Sequence, residues 1–198
     1  MKENPTKTEI KNYIWKLLEE ALTVKDSPLK TPVFSNIENN KPSSKVVVLR
    51  SVNRKRRILT FHTDYRSPKV KAIKKNEDAV LVFYHKDEKT QLKINVKTKI
   101  HFDNKIAATA WKKTAHFSRK CYLIESPPSS VITSPGTTLP VSFEENSYTL
   151  EQSELGYKNF AVVECVIQSI DWLYLASTGH RRAIFSYNGT EKFNWLVP

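Results

Sequence analysis

Residues 45–91 constrain the fold most. They read KVVVLRSVNRKRRILTFHTDYRSPKVKAIKKNEDAVLVFYHKDEKTQ. A valine-dominated strand at 45–51 runs into a basic hairpin tip at 53–57, and a second strand returns over 58–63. Ser67-Pro68-Lys69 then reads as a helix start, with serine at the N-cap and proline at the first helical position. That helix carries Val70 and Ile73 inward and ends near Asn76. Val80-Leu81-Val82-Phe83-Tyr84 is a buried strand. Gln91 opens a long strand in which Leu92, Ile94, Val96, Thr98, Ile100 and Phe102 alternate, so that one face is apolar. Short hairpin connections favour antiparallel pairing over a doubly wound parallel sheet. The chain has only four glycines and no GxGxxG, which agrees. The expectation is one mostly β (α+β) domain over residues 1–198, an antiparallel barrel of about seven strands with flanking helices.

The rest of the chain fits that plan. Ile10, Ile14, Leu17, Leu18, Ala21 and Leu22 form one helical stripe over 6–23, and Thr6 with Glu9 makes a capping box after Pro5. Residues 32–37 are a strand candidate, and 39–44 a polar turn containing Pro42. Asp103 is expected to cap a third helix running through Trp111. The tract 126–140, SPPSSVITSPGTTLP, holds four prolines and one glycine and reads as a loop. Residues 158–175 form a long apolar strand or two, and Asn188-Gly189 marks a hairpin.

The formal net charge is +12, from 32 Lys+Arg against 20 Asp+Glu. Such a balance suits anionic partners without choosing among nucleic acid, membrane and phosphorylated ligands. Cys121 and Cys165 make neither a disulfide framework nor a zinc site. The five histidines lack metal-ligand spacing, so no metal is expected. No apolar run approaches the roughly 20 residues that span a bilayer. The polar start Met1-Lys2-Glu3-Asn4 leads to the expectation of a soluble, cytoplasmic protein.

Within residues 45–91, cations, hydroxyls and a helix start converge at strand ends, which is the equipment for holding a phosphorylated ligand. On strand alternation Lys45, Val47 and Leu49 share one face, and Val46, Val48 and Arg50 the other. The order resembles the pyridoxamine 5'-phosphate oxidase family, whose members bind flavin mononucleotide (FMN) on a split β-barrel. Lys45 and Arg50 stand for the two basic residues that bracket the family's flavin-lining strand. Phe61-His62-Thr63-Asp64 resembles its aromatic-Tyr-Thr-Asn segment, with His62 in place of tyrosine. Ser67-Pro68-Lys69 resembles its phosphate-clamping Ser-Arg-Lys, with Pro68 in place of arginine. Gln91 matches a glutamine that contacts the flavin ring. The resemblance implies FMN bound by Lys45, Val46, Val47, Val48, Leu49, Arg50, His62, Thr63, Ser67, Lys69 and Gln91. It also implies a homodimer with flavin at the interface.

The substrate side departs from the family. The places of its phosphate-anchoring tyrosine and arginine fall near Ala110 and Thr114, and only the serine, Ser118, is kept. Lys112, Lys113 and Arg119 are candidate substitutes. Arg50, Ser118, Arg181 and Arg182 remain as anchors for a small, anionic substrate. The favoured reading is an FMN-dependent oxidoreductase with little or no activity on pyridoxamine 5'-phosphate. Its alternatives are a flavin-binding protein without turnover and a nucleic-acid-binding barrel. The last rests on Arg54-Lys55-Arg56-Arg57 and Lys69, Lys71, Lys74 and Lys75, and it is the weakest because the tip shows no neighbouring aromatics.

Overall fold

The computed structural model describes residues 5–140, Phe143 and residues 148–198; the polar opening Met1-Lys2-Glu3-Asn4 lies outside the described residues. Strand β1 (Val33–Glu38) turns into β2 (Lys41–Val46) through Asn39 and Asn40. Both residues have positive φ, 50° and 59°, the conformation of a two-residue hairpin turn that asparagine tolerates. The polar turn expected at 39–44 is therefore only two residues long. Pro42 is accommodated because β2 is an edge strand, with only β1 as a sheet neighbour.

The strand expected at 45–51 is broken. Val47 donates its N–H to the Pro32 carbonyl at 3.0 Å, and β3 (Leu49–Asn53) departs to pair with β4 (Ile58–Asp64). The sheet order is β2-β1-β5-β6-β7-β4-β3, with β8 on β7 and β9 on β8. The other strands are β5 (Asp78–His85), β6 (Thr90–His101), β7 (Phe160–Tyr174), β8 (Arg181–Ser186) and β9 (Lys192–Leu196). Every pairing is antiparallel. Strands β2 and β3 follow one another in the chain yet lie at opposite ends of the sheet, so Val47 and Val48 join the ends and close it into a split barrel. Among the described residues there are nine strands rather than about seven; one of the additions comes from 45–51, which contributes to both β2 and β3.

Burial follows the expected alternation. Val47 and Leu49 enter the core while Val46, Val48 and Arg50 stay exposed. Strand β7 forks: its first half pairs with β4, its second half with β8, and β6 lines its other edge throughout. Leu92, Ile94, Val96, Ala161, Val163, Cys165, Ile167 and Ile170 are all buried within the one chain. Those faces supply the barrel's own core.

Helix α1 (Lys7–Thr23) starts with the expected Thr6–Glu9 capping box and buries Ile10, Ile14, Trp15, Leu17, Leu18 and Ala21. A buried leucine such as Leu18, cut back to alanine, costs about 2–5 kcal/mol. Helix α2 (Pro68–Lys75) packs on β1. Helix α3 (Lys105–Lys113) is capped by Asn104, whose side chain accepts from the N–H groups of Ile106 and Ala107. Asp103, the expected cap, instead takes the turn at φ 45°. Ala107 and Trp111 fasten α3 to Val162 and Phe160 of β7 and to Tyr122. The short helices α4 (His116–Arg119) and α5 (Leu150–Ser153) follow. No strand or helix forms within 126–140. No helix among the described residues is long and apolar enough to cross a membrane.

Candidate functional site: two faces of one strand

Strand β4 places Thr63 on its core side and His62 on its outer side, and different chemistry collects on each. On the core side, Lys69 Nζ donates to Thr63 Oγ1 at 3.0 Å and to Ser67 Oγ at 3.4 Å, while the two hydroxyls are 3.3 Å apart. Ser67 occupies the N-cap position of α2, but its side chain makes no capping bond. Its hydroxyl, on a residue only 1 % exposed, is turned toward Thr63 and Lys69. Burial pushes the Lys69 ammonium below the usual lysine range, and the neighbouring Lys45 charge adds to this; Glu38 and Asp64 oppose it. Lys45 itself is ion-paired with Glu38.

This cluster fits a phosphate ester. It holds two ammonium groups and two hydroxyls at the start of a helix, and its cations repel each other in the absence of an anion. A second observation agrees. The side chain of Asn36, on the same face as Glu38 and Lys45 by strand register, is buried with neither amide atom hydrogen-bonded. Unpaired buried amides are costly and mark places where a polar ligand or water belongs.

On the outer side, a cavity of about 670 Å³ opens between β3, β4 and α3. It is lined by Arg50, Ser51, Thr60, His62, Lys105, Ile106, Thr109, Ala110, Lys113, Thr114, Ala115, Phe117, Ser118 and Val162. Arg50, His62 and Ser118 are thus brought together, and so are Ala110 and Thr114, the positions matched to the family's substrate anchors. The lining holds three cations and no carboxylate. Burial, with the Arg50 charge second, lowers His62 to about 4, so its ring is neutral at physiological pH. Its ring packs edge-on against Phe160 at 4.7 Å.

Other expected residues lie elsewhere. Gln91 is paired with Tyr84 and Leu173, and Arg182 with Leu173, in a row on the outside of β5–β8. Arg182 makes a two-point ion pair with Asp171 at 3.0 and 2.8 Å, and Arg181 lies 5.8 Å over the Tyr174 ring. None of these lines the cavity. Arg119 is no substitute anchor: it is buried, bonded to the carbonyls of Trp111 and Thr114 and paired with Glu154. Lys112 is not in the lining, whereas Lys113 is. At the basic tip, Arg57 stacks 4.7 Å over Tyr187, so an aromatic is nearby after all; that ring is buried and offers no platform for a base. Among the described residues no group of three His, Cys, Asp or Glu is placed to hold a metal ion.

The sequence reading missed Asn36, Glu38 and Lys105. Lys105 was legible, since 105, 106, 109, 110 and 113 form one helical stripe. Glu38 and Asn36 depended on the two-residue turn that sets β1 against β2.

Residues 12–102 match the family model of the pyridoxamine 5'-phosphate oxidase FMN-binding domain. Comparison with curated proteins gives no significant match. Among solved structures, a pyridoxamine 5'-phosphate oxidase-related, FMN-binding protein from Nostoc punctiforme superposes with a TM-score of 0.72 at 15 % identity, over 94 % of this chain and 96 % of that one. PhzG from Burkholderia lata, in complex with tetrahydrophenazine-1-carboxylic acid, gives 0.70 at 14 % identity, over 99 % and 95 %. The fold is a split β-barrel, the fold that those two structures share. It is through residues 12–102 that the chain is similar to the pyridoxamine 5'-phosphate oxidase FMN-binding family.

Proposed function

We propose that the protein is an FMN-dependent oxidoreductase acting on a small anionic substrate other than pyridoxamine 5'-phosphate. The observation that carries this reading is the Thr63–Ser67–Lys69 cluster, in which an N-cap serine forgoes its cap to share a lysine. In this reading Lys45, Thr63, Ser67 and Lys69 hold the flavin phosphate, with the segment Val46, Val47, Val48, Leu49 and Arg50 beside the cofactor. Bound flavin would supply a two-electron acceptor, and the chain binds and orients the partner molecules. Arg50, Lys105 and Lys113 attract an anionic substrate, and neutral His62 offers a hydrogen bond rather than a charge. PhzG, of the same fold, forms a complex with tetrahydrophenazine-1-carboxylic acid, and an acid of that kind is in keeping with such a substrate.

Homodimerisation belongs to the same proposal. Val33, Ile37, Val46 and Tyr84 expose apolar surface on the outer face of β2-β1-β5, and closed two-fold dimers are the commonest oligomers. A second copy is also the means by which Gln91, Arg181 and Arg182 could reach a flavin they do not approach within one chain. The alternative of flavin binding without turnover draws on Ala110 and Thr114, which give the cavity neither an aromatic ring nor a charge at those positions.

The test is the visible spectrum of the purified chain, alone and after incubation with FMN, followed by reduction with candidate anionic donors. Flavin absorbance that survives gel filtration is expected. A protein that stays colourless would overturn the reading.

A further inference from the structure

The cavity's cations are not clustered: Lys105 and Lys113 sit at the two ends of α3, and Arg50 is on β3. Lys105, Ile106, Thr109, Ala110 and Lys113 all line the cavity, a stripe that leaves Ala107 and Trp111 to face the core. From Lys105 to Lys113 is eight residues, about 12 Å along the helix axis. The helix begins just after β6 ends at His101, so Lys105 sits at the β6 side. Its other end runs through Thr114 and Ala115 into α4. Arg50 lies away from Lys105 too, on β3, the strand of the order β6-β7-β4-β3 that is farthest from β6. The floor crosses β3, β4 and β7 through Arg50, Ser51, Thr60, His62 and Val162, two strand spacings or about 10 Å, close to the length of the helix. Between the charged ends the lining includes Ile106, Ala110 and Val162. Glu164, a carboxylate on the floor strand β7, is outside the lining and faces His101 at 3.7 Å.

Resting on the reading of this cavity as the substrate pocket, we propose that it takes a small molecule with an apolar body and an anionic group at each end. One anion meets Arg50 and Lys113. The other meets Lys105. A ligand with a single anion and a neutral far end leaves the Lys105 charge unanswered.

The test is calorimetric titration of the full chain, loaded with FMN where it binds, with two rigid probes: biphenyl carrying one para carboxylate and biphenyl carrying para carboxylates at both ends. The dicarboxylate is expected to bind about three- to tenfold tighter, the range for one more partly exposed charge pair. Lys105→Gln should erase that advantage, weakening the dicarboxylate more than the monocarboxylate, and Lys113→Gln should weaken both. Arg54→Gln, on the remote basic tip, should alter neither. Equal affinity of the two probes, or equal losses for both in Lys105→Gln, would overturn the two-ended ligand while leaving the pocket. Binding of neither probe would remove the pocket reading itself.

Discussion

Lys69 donates to Thr63 across 3.0 Å, joining the first turn of α2 to the end of β4. This bond sets a half-buried ammonium against a neutral hydroxyl, a weak partner for a charge. The arrangement is prepared for a stronger acceptor. Lys69→Ala should weaken FMN binding by about 1–3 kcal/mol, as for a lost hydrogen bond to a charged group. Arg54→Ala should leave it unchanged. Flavin-fluorescence titration decides; equal effects would show that the phosphate does not sit at α2.

Glu38 is the carboxylate within this cluster. Its pair with Lys45 satisfies that cation in the free chain, and an incoming phosphate must share or displace it. Glu38→Gln keeps the shape and removes the competing charge. It should tighten FMN binding by about 0.5–1 kcal/mol, the scale of a partly exposed ion pair. The same titration reads it, and weakened binding would mean that Glu38 orients Lys45 for the cofactor instead of competing with it.

His62 gives a prediction about pH. Its folded value, about 4, lies below the ordinary histidine value of about 6.5. Between these values the unfolded chain binds the proton and the folded chain does not, so stability falls as pH falls. The loss begins near pH 6.5, is complete near 4, and amounts to about 3 kcal/mol from this residue. His62→Gln should flatten this part of the pH–stability curve measured by denaturant unfolding. An unchanged slope in the variant would assign the effect to other groups.

Much of this was legible in the sequence, and the misses have physical reasons. The capping box at Thr6 and Glu9, the alternation of β6 and the buried face of Val47 and Leu49 are local patterns, fixed by residue spacing. The break between Val46 and Leu49 is not local: it comes from β2 and β3 joining opposite ends of one closed sheet, which no periodicity within 45–51 reveals. Likewise, Arg50, His62 and Ser118 could be nominated from residue type and order. Arg119 could not be excluded until its partners Glu154, Trp111 and Thr114 were placed around it. Gln91, Arg181 and Arg182 stay apart from the cavity because strand register sends them to the other side of the barrel.

Catalysis offers a further prediction. With FMN bound, the protein should oxidise pyridoxamine 5'-phosphate little or not at all. Ala110 and Thr114 line the cavity at the places matched to the family's anchoring tyrosine and arginine, and a lost positioning contact can lower a rate by about a hundredfold. Restoring them together, as Ala110→Tyr with Thr114→Arg, should raise hydrogen peroxide production from that substrate. Efficient turnover by the unmodified chain would show that Arg50 and Lys113 anchor the phosphate unaided.

Val46 tests the dimer. It projects from the outer face of β2, opposite Val33 of β1, and is 66 % exposed in the single chain. Its substitution by a charged residue disturbs no core contact within the chain, and surface changes of that kind usually move stability by less than about 0.5 kcal/mol. At an apolar interface the same charge must be desolvated without a partner, which is far more costly. Val46→Glu should therefore leave the melting behaviour of an isolated chain nearly unchanged while shifting a dimer to monomer by light scattering. A variant that remains dimeric would move the interface away from β1 and β2, to the row of Tyr84, Gln91, Leu173 and Arg182.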